Sequence, residues 1–229
     1  MAVIGGTGPQ GRGLAWRFAS QGYAVTIGSR TAARAHLAAA ELSRRLEARA
    51  PSPDAQIIGV VQGATNEAAC VNADVVVLAV PWAGHDELIA QLPLRDQILV
   101  SCVNPLRFDA AGPVGIPVDG GLSSAAEHAQ ALAPQARVVG AFHHVSAVSL
   151  LSEVDYLDHE DVLICGDDAA AKDVVAELAR CVTGRPGLDA GPLRMARHLE
   201  TLTAVLISIN KLHKCRSGLR IAGVRPPLP

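Results

Sequence analysis

Short apolar runs of strand length alternate along the chain with stretches whose apolar positions recur at helical spacing, the pattern of a parallel sheet joined by crossover helices. Near-continuous Val, Ile, Leu and Ala at Ala2 to Gly5, Ala24 to Gly28, Gln56 to Val61, Ala73 to Val80, Gln97 to Val103 and Arg137 to Phe142 predict strands buried on both faces. Between them, helices are expected over Gln10 to Gln21, closed by Gly22, and over the Ala-rich segment Ala32 to Arg49, ended by Pro51 and Pro53. After Phe142 the rhythm changes. Val162 to Gly166 reads as a short strand, Ala169 to Val182 as a helix, Arg185 to Leu193 as a Gly/Pro-rich connector and Arg194 to Lys214 as a last long helix. That helix carries Leu199, Leu202, Val205, Leu206, Ile209 and Leu212 at i, i+3, i+4 spacing, so one apolar face packs on something. Leu106 to Gly121, rich in Gly and Pro, reads as a loop bordering a site. The expected fold is α/β: a Rossmann-type, doubly wound, mostly parallel sheet over residues 1–144, followed by a smaller C-terminal α/β domain over residues 145–229.

Composition narrows the functional classes. Of 229 residues, 49% are apolar and 18% charged, enough to bury a sizeable core. Twenty Lys and Arg against 22 Asp and Glu leave a net charge of −2, and aromatic residues make up only 3%, so neither a cationic field nor a stacking platform for nucleic acid is present. The five cysteines are odd in number and scattered, which argues against a disulfide framework or a Cys-based zinc site; no metal is expected. Met-Ala-Val-Ile runs straight into Gly5 without a basic start or an apolar leader, and no segment is apolar over the roughly 20 residues that a membrane span needs. The expectation is a cytoplasmic protein with no membrane partner.

The first strand flows into Gly6-Thr7-Gly8-Pro9-Gln10-Gly11, a G-x-G-x-x-G between a strand and a helix. In that position the first glycine permits a tight turn, the second lets the backbone approach a pyrophosphate, and the third allows close packing of helix on strand, with the phosphates at a helix N-terminus. Pro9 suits a first helical turn. At the end of the second strand an NAD enzyme would present Asp or Glu, yet the chain reads Gly28-Ser29-Arg30-Thr31, with Arg34 one turn on. A hydroxyl and two guanidinium groups suit a ribose 2′-phosphate, so NADP is favoured. Val80-Pro81-Trp82 and Val103-Asn104-Pro105 end the fourth and fifth strands at the carboxyl edge, where they should border the nicotinamide half.

Missing apparatus is informative too. A short-chain dehydrogenase would need Tyr with Lys four positions on, but Ile27 follows Tyr23 at that distance and Glu160 follows Tyr156. Lysine is scarce, and none of Lys172, Lys211 and Lys214 sits where a general acid for an ordinary carbonyl would. His143-His144, at the end of the sixth strand, is the best remaining polar pair; neighbours on a strand face opposite ways, so a joint metal site is not expected. Asp155, Asp158, Glu160 and Asp161 read as a solvated acidic loop.

Several blocks in order resemble the reductases that pass hydride between NADP(H) and the deazaflavin coenzyme F420: Gly5-Gly6-Thr7-Gly8 with Ser29-Arg30, Pro81-Trp82, Ala141-Phe142-His143-His144, Ile164-Cys165-Gly166-Asp167-Asp168, Leu188-Asp189-Ala190-Gly191-Pro192-Leu193, and Glu200 to Asn210. The likeness spans nearly the whole chain. It implies that Thr7, Ser29, Arg30 and Arg34 hold the 2′-phosphate, that Pro81, Trp82, His143 and the stretch after it line the cleft where the two rings stack, and that His143 positions the deazaflavin. It also implies an oxidoreductase acting as a homodimer, the C-terminal domain closing over coenzyme F420. His144-Val145-Ser146 stands where archaeal members carry Thr-Ile-Pro. Direct hydride movement between two ring carbons needs alignment more than it needs an acid, which agrees with the missing Lys and Tyr. Two other readings remain open: an NADP-dependent imine or hydroxyacid reductase of related fold, and a non-enzymatic NADP(H)-sensing protein.

Overall fold

A computed structural model describes residues 1–49, 59–118 and 124–224. The strands are β1 (Ala2–Ile4), β2 (Val25–Ser29), β3 (Val61–Thr65), β4 (Val75–Leu78), β5 (Ile98–Ser101), β6 (Leu106–Asp109), β7 (Gly112–Gly115), β8 (Arg137–Ala141), β9 (Leu163–Gly166) and β10 (Leu188–Asp189). The helices are α1 (Pro9–Ser20), α2 (Ala32–Arg49), α3 (Asn66–Cys70), α4 (His85–Gln91), α5 (Ala125–Leu132), α6 (Ala147–Leu150), α7 (Ala169–Thr183) and α8 (Ala196–His213), the last entered through a 3₁₀ turn at Leu193–Met195. Eight strands form one sheet in the order β3-β2-β1-β4-β5-β8-β9-β10, while β6 and β7 make a separate hairpin. Every pair in the sheet is parallel except β8 with β9. This is the Rossmann-type α/β sheet expected from the sequence.

Alternation inside the strands explains the two layers. Val3, Ile27, Val77 and Val100 face a cluster with Leu14, Phe18 and Leu42, whereas Ala2, Ile4, Val76, Leu78 and Leu99 face a second one with Ile89, Ala129 and Leu193. Residues of both parities are buried, so the strands read as continuous apolar runs. The chain after Val145 adds β9 and β10 to the same sheet, and its Leu157, Val162, Ile164, Val175 and Val182 join the layer of Val3 and Phe18.

Several expectations need correction. The third strand is Val61–Thr65; of the expected Gln56 to Val61, Gly59 and Val60 precede its paired residues, and Gln56 to Ile58, with Pro51 and Pro53, lie outside the described residues. β3 is an edge strand built on Gly63, where a Cβ would come within 2.4 Å of the α2 backbone; a strand of small and polar residues carries little apolar signal. The segment read as a loop from Leu106 holds the antiparallel hairpin β6–β7, whose turn is tied by Asp109 Oδ1 accepting from Ala111 N at 2.9 Å and Gly112 N at 3.2 Å. The Arg185 to Leu193 connector contains β10. Among the described residues no helix is long and apolar enough to cross a membrane.

Candidate functional site

β1 ends in the turn that leads into α1. The left-handed residue is Gly5, with φ of +72°, one position before the G-x-G-x-x-G. A Cβ on Gly5 would lie 2.5 Å from Ala79 O, and one on Gly11 would lie 2.7 Å from both Gly5 O and Gly6 Cα, so both allow helix and strands to close on each other. Gly8 differs: a Cβ there would meet only Gly5 O, at 3.4 Å. That face of the backbone is open. Gly8 is also the N-cap of α1, Pro9 occupies the first turn, and no side chain caps the helix, which leaves its amide end available to an anion. Thr7 sits in the turn between. Ser29 is buried at the end of β2, with Arg30 and Arg34 exposed beyond it and no carboxylate paired to either among the described residues.

A cavity of about 510 Å³ opens beside this turn at the carboxyl edge of the sheet. It is lined by Gly8, Pro9 and Gln10 of the turn and α1, by Val80, Pro81, Cys102 and Asn104 past the ends of β4 and β5, by His143 to Val148, by Thr203, Leu206, Ile207 and Asn210 of α8, and by Ser217. The structure therefore brings together Gly8, Pro9, Gln10, Val80, Pro81, Asn104 and His143, while Ser29, Arg30 and Arg34 lie at the neighbouring edge of β2. Trp82 lies outside the lining: its indole packs on His85, centroids 4.9 Å apart, and edge-on to His128 at 5.5 Å.

The turn at His143 is held by its backbone. Phe142 has φ of +62°, rare for a non-glycine residue and found where surroundings over-determine a conformation. Gln10 Nε2 donates to Phe142 O at 3.4 Å, and both Asn104 Nδ2 (2.9 Å) and Thr203 Oγ1 (2.8 Å) donate to His143 O. Both histidines lie past the end of β8, so strand alternation does not govern them. His144 Nε2 donates to Asp161 O at 2.7 Å. Burial, reinforced by its neighbour His144, lowers the His143 imidazole to about 3, and burial also lowers His144, so both are neutral at physiological pH. Burial pushes the Cys102 thiol up to about 12. Among the described residues the cavity is lined by no Asp, Glu, Lys, Arg or Tyr.

The acidic loop is not uniformly solvated. Glu160 is fully buried and Asp161 is bonded to Arg185 and to the C-terminal segment, whereas exposed Asp155 pairs with Arg49. No group of three His, Cys, Asp or Glu among the described residues is arranged to hold a metal ion.

Residues 1–105 match the family model described as NADP oxidoreductase, coenzyme F420-dependent. The F420-dependent NADP reductase of Methanothermobacter thermautotrophicus is 39% identical over 98% of this chain and 93% of its own. The chain belongs to the F420-dependent NADP reductase family. A second member, from Methanocaldococcus jannaschii, is 35% identical over 98% of both chains. A solved structure from Arthrobacter sp. FB24 superposes with a TM-score of 0.72 at 29% identity, covering 96% of this chain and 98% of that one. A reductive aminase from Aspergillus terreus shares the fold alone, at 20% identity and a TM-score of 0.61 over 93% of this chain and 61% of its own.

For this member of the F420-dependent NADP reductase family, Gly5, Phe142 and Thr203 fall in the sequence blocks named above, but the turn and hydrogen-bond roles they take are not legible there. Gly5 was visible as a glycine beside the motif. The backbone of Phe142 carries no signal, because nothing in a phenylalanine announces a left-handed conformation.

Proposed function

We infer that the protein transfers a hydride between NADP(H) and coenzyme F420, ring to ring. The observation that carries this reading is the uncharged cavity: its only titratable side chains among the described residues are His143, His144 and Cys102, all neutral at pH 7. Such a lining offers no strong acid for reducing an ordinary carbonyl or imine, and it suits two planar rings that need only alignment. The nicotinamide and the deazaflavin supply the donor and acceptor carbons when bound. The protein's part is to orient and to exclude water. Gly6, Thr7, Gly8, Pro9, Gln10 and Gly11 hold the pyrophosphate against the open amide end of α1. Ser29, Arg30 and Arg34 take the 2′-phosphate. Val80, Pro81 and Asn104 support the nicotinamide side, Trp82 stiffens that loop through its packing on α4 and α5, and the His143 turn, pinned by Asn104 and Thr203, positions the deazaflavin.

In this reading residues 1–144 form the NADP-binding unit, and residues 145–229 close the deazaflavin side and contribute to a homodimer. All five cysteines are free thiols, in keeping with a cytoplasmic setting. NADPH mixed with oxidised coenzyme F420 and the protein should bleach the deazaflavin absorbance, and NADP with the reduced coenzyme should restore it. NADPH binding without bleaching across roughly pH 5 to 9, where carboxyl, imidazole and thiol groups titrate, would overturn the reading in favour of a nucleotide sensor.

A further inference from the structure

Four polar contacts converge on Asp161, a residue outside the lining of the cavity. Its Oδ2 accepts from Ile221 N at 2.9 Å and its Oδ1 from the Arg185 guanidinium at 3.0 Å. Its N–H donates to Leu219 O at 2.7 Å, and its own carbonyl accepts from His144 Nε2 at 2.7 Å. One residue is thus bonded both to an imidazole in the cavity wall and to the strap, residues 217–221, that runs back from the end of α8. Arg185 extends the clasp by donating to Asp158 O at 2.6 Å and Glu160 O at 2.7 Å, and Arg220 donates to Asp158 O at 3.0 Å.

The strap completes the cavity. Ser217 is part of the lining, and its N–H is bonded to Oδ1 of Asn210, another wall residue. Next to it, Gly218 lies directly on buried Glu160: a Cβ at 218 would come within 2.1 Å of Glu160 Cγ. Burial would raise the Asp161 carboxyl, but the Ile221 N–H and Arg185 outweigh it and hold the group below the usual range, so the clasp works with an ionised carboxylate. A chain end stays in place only when something ties it down, and the strap's own apolar side chains, Leu219 and Ile221, are only half-buried.

We propose that Asp161 is a positioning residue for the deazaflavin side of the site, clasping the C-terminal strap to the turn that carries His144 and so holding the Asn210–Ser217 wall in place. The proposal rests on the coenzyme F420 reading above. Opening the clasp lowers the fraction of molecules with a complete wall, and apparent affinity falls by that fraction. On the same reading NADP(H) takes the glycine turn and β2, which share no hydrogen bond with Asp161 or the strap among the described residues, so its affinity should not follow the change.

Two variants open the strap from opposite sides: Asp161→Ala removes the carboxylate acceptors, and Gly218→Val forces the strap off Glu160 with Asp161 intact. Each should raise the KM for coenzyme F420 about fivefold or more with kcat at saturation largely kept. NADPH Kd, titrated by nucleotide fluorescence without turnover, should stay within about twofold, and trypsin should cut after Arg216 faster than in wild type. A shared phenotype is what a clasp requires and what a general stability defect at Asp161 does not produce. If Asp161→Ala fails to fold, Asp161→Asn, which keeps one acceptor oxygen, takes its place beside Gly218→Val. Faster cleavage with an unchanged F420 KM overturns the clasp, as does an equal loss of NADPH affinity. No bleaching by the wild type overturns the clasp and the F420 reading together.

Discussion

Arg30, directly after the buried Ser29 that ends β2, and Arg34, in the first turn of α2, are both exposed. Cations at a helix N-terminus run against the macrodipole, so an anion is their natural partner there. Losing one charge-assisted bond to phosphate costs about 10- to 150-fold in affinity. Arg30→Ala should therefore weaken NADPH by that factor and leave NADH, which has no phosphate at this place, nearly unchanged. Ser29→Asp should go further, since the new carboxylate repels the phosphate and accepts from free ribose hydroxyls. Comparing kcat/KM for both nucleotides checks this, and a wild-type preference for NADH would sink it. The place of Arg30 and Arg34 beyond β2 was legible because the strand–turn–helix pattern fixes it. Trp82 shows the limit: its place after β4 was readable, but its indole packs on His85, three residues on, and on His128 of α5, which no local pattern links to it.

At the scale of elements, the helices that frame the site are held by side chains remote in sequence. Glu200 of α8 accepts from Ala125 N at 2.9 Å and Ala126 N at 3.1 Å, closing the amide end of α5. Arg17 of α1, almost fully buried, donates to the carbonyls of Ser149, Leu150, Val154 and Asp155 and fixes the chain just after the His143 turn. Burial raises the Glu200 carboxyl to about 7, ahead of the two backbone bonds that pull it down. A group whose pKa is higher folded than unfolded stabilises below the unfolded value and loses that contribution as pH rises through the folded one. Glu200 should thus make the protein less stable between about pH 4.5 and 7, where the unfolded chain binds fewer protons. The neutral His143 has the opposite sign, its contribution fading as pH falls from about 6.5 toward 3. Thermal melts from pH 5 to 8 should show Glu200→Gln losing less Tm than the wild type; parallel curves would refute the assignment. Helix periodicity places α2, α7 and α8 well because each buries one stripe, whereas α1, buried almost all round from Gly13 to Ala19, is legible from the glycine motif before it and Gly22 after it. β3 and the β6–β7 hairpin were misread because edge and surface strands bury too little to leave an apolar run.

Across the molecule, α8 carries an apolar stripe that the described residues cover only in part. Leu199 and Leu206 pack inward, but Val205 is 53% and Leu212 77% exposed, and with Leu202 and Ile209 they follow helical spacing along one side. The β6–β7 hairpin lies along the same helix, a Cβ at Gly115 meeting Thr201 Cγ2 at 2.8 Å, and it adds Phe108 at 67% exposure. Periodicity shows that α8 packs on something; it cannot show that the described residues cover only part of the apolar set, because a neighbour's identity is not written in a repeat. A second copy of the chain is the occupant proposed here. In a two-fold interface the same patch meets itself, so one apolar stripe serves both subunits and each substitution acts twice. Sedimentation should give twice the 23.7 kDa chain mass for the wild type, and Val205→Glu with Leu212→Glu should return the protein to a monomer by placing four carboxylates in the apolar seam. Val174→Glu, on the exposed side of α7, is the matched control and should remain a dimer. A monomeric wild type, or a double variant that still sediments as a dimer, would remove α8 as the contact between subunits.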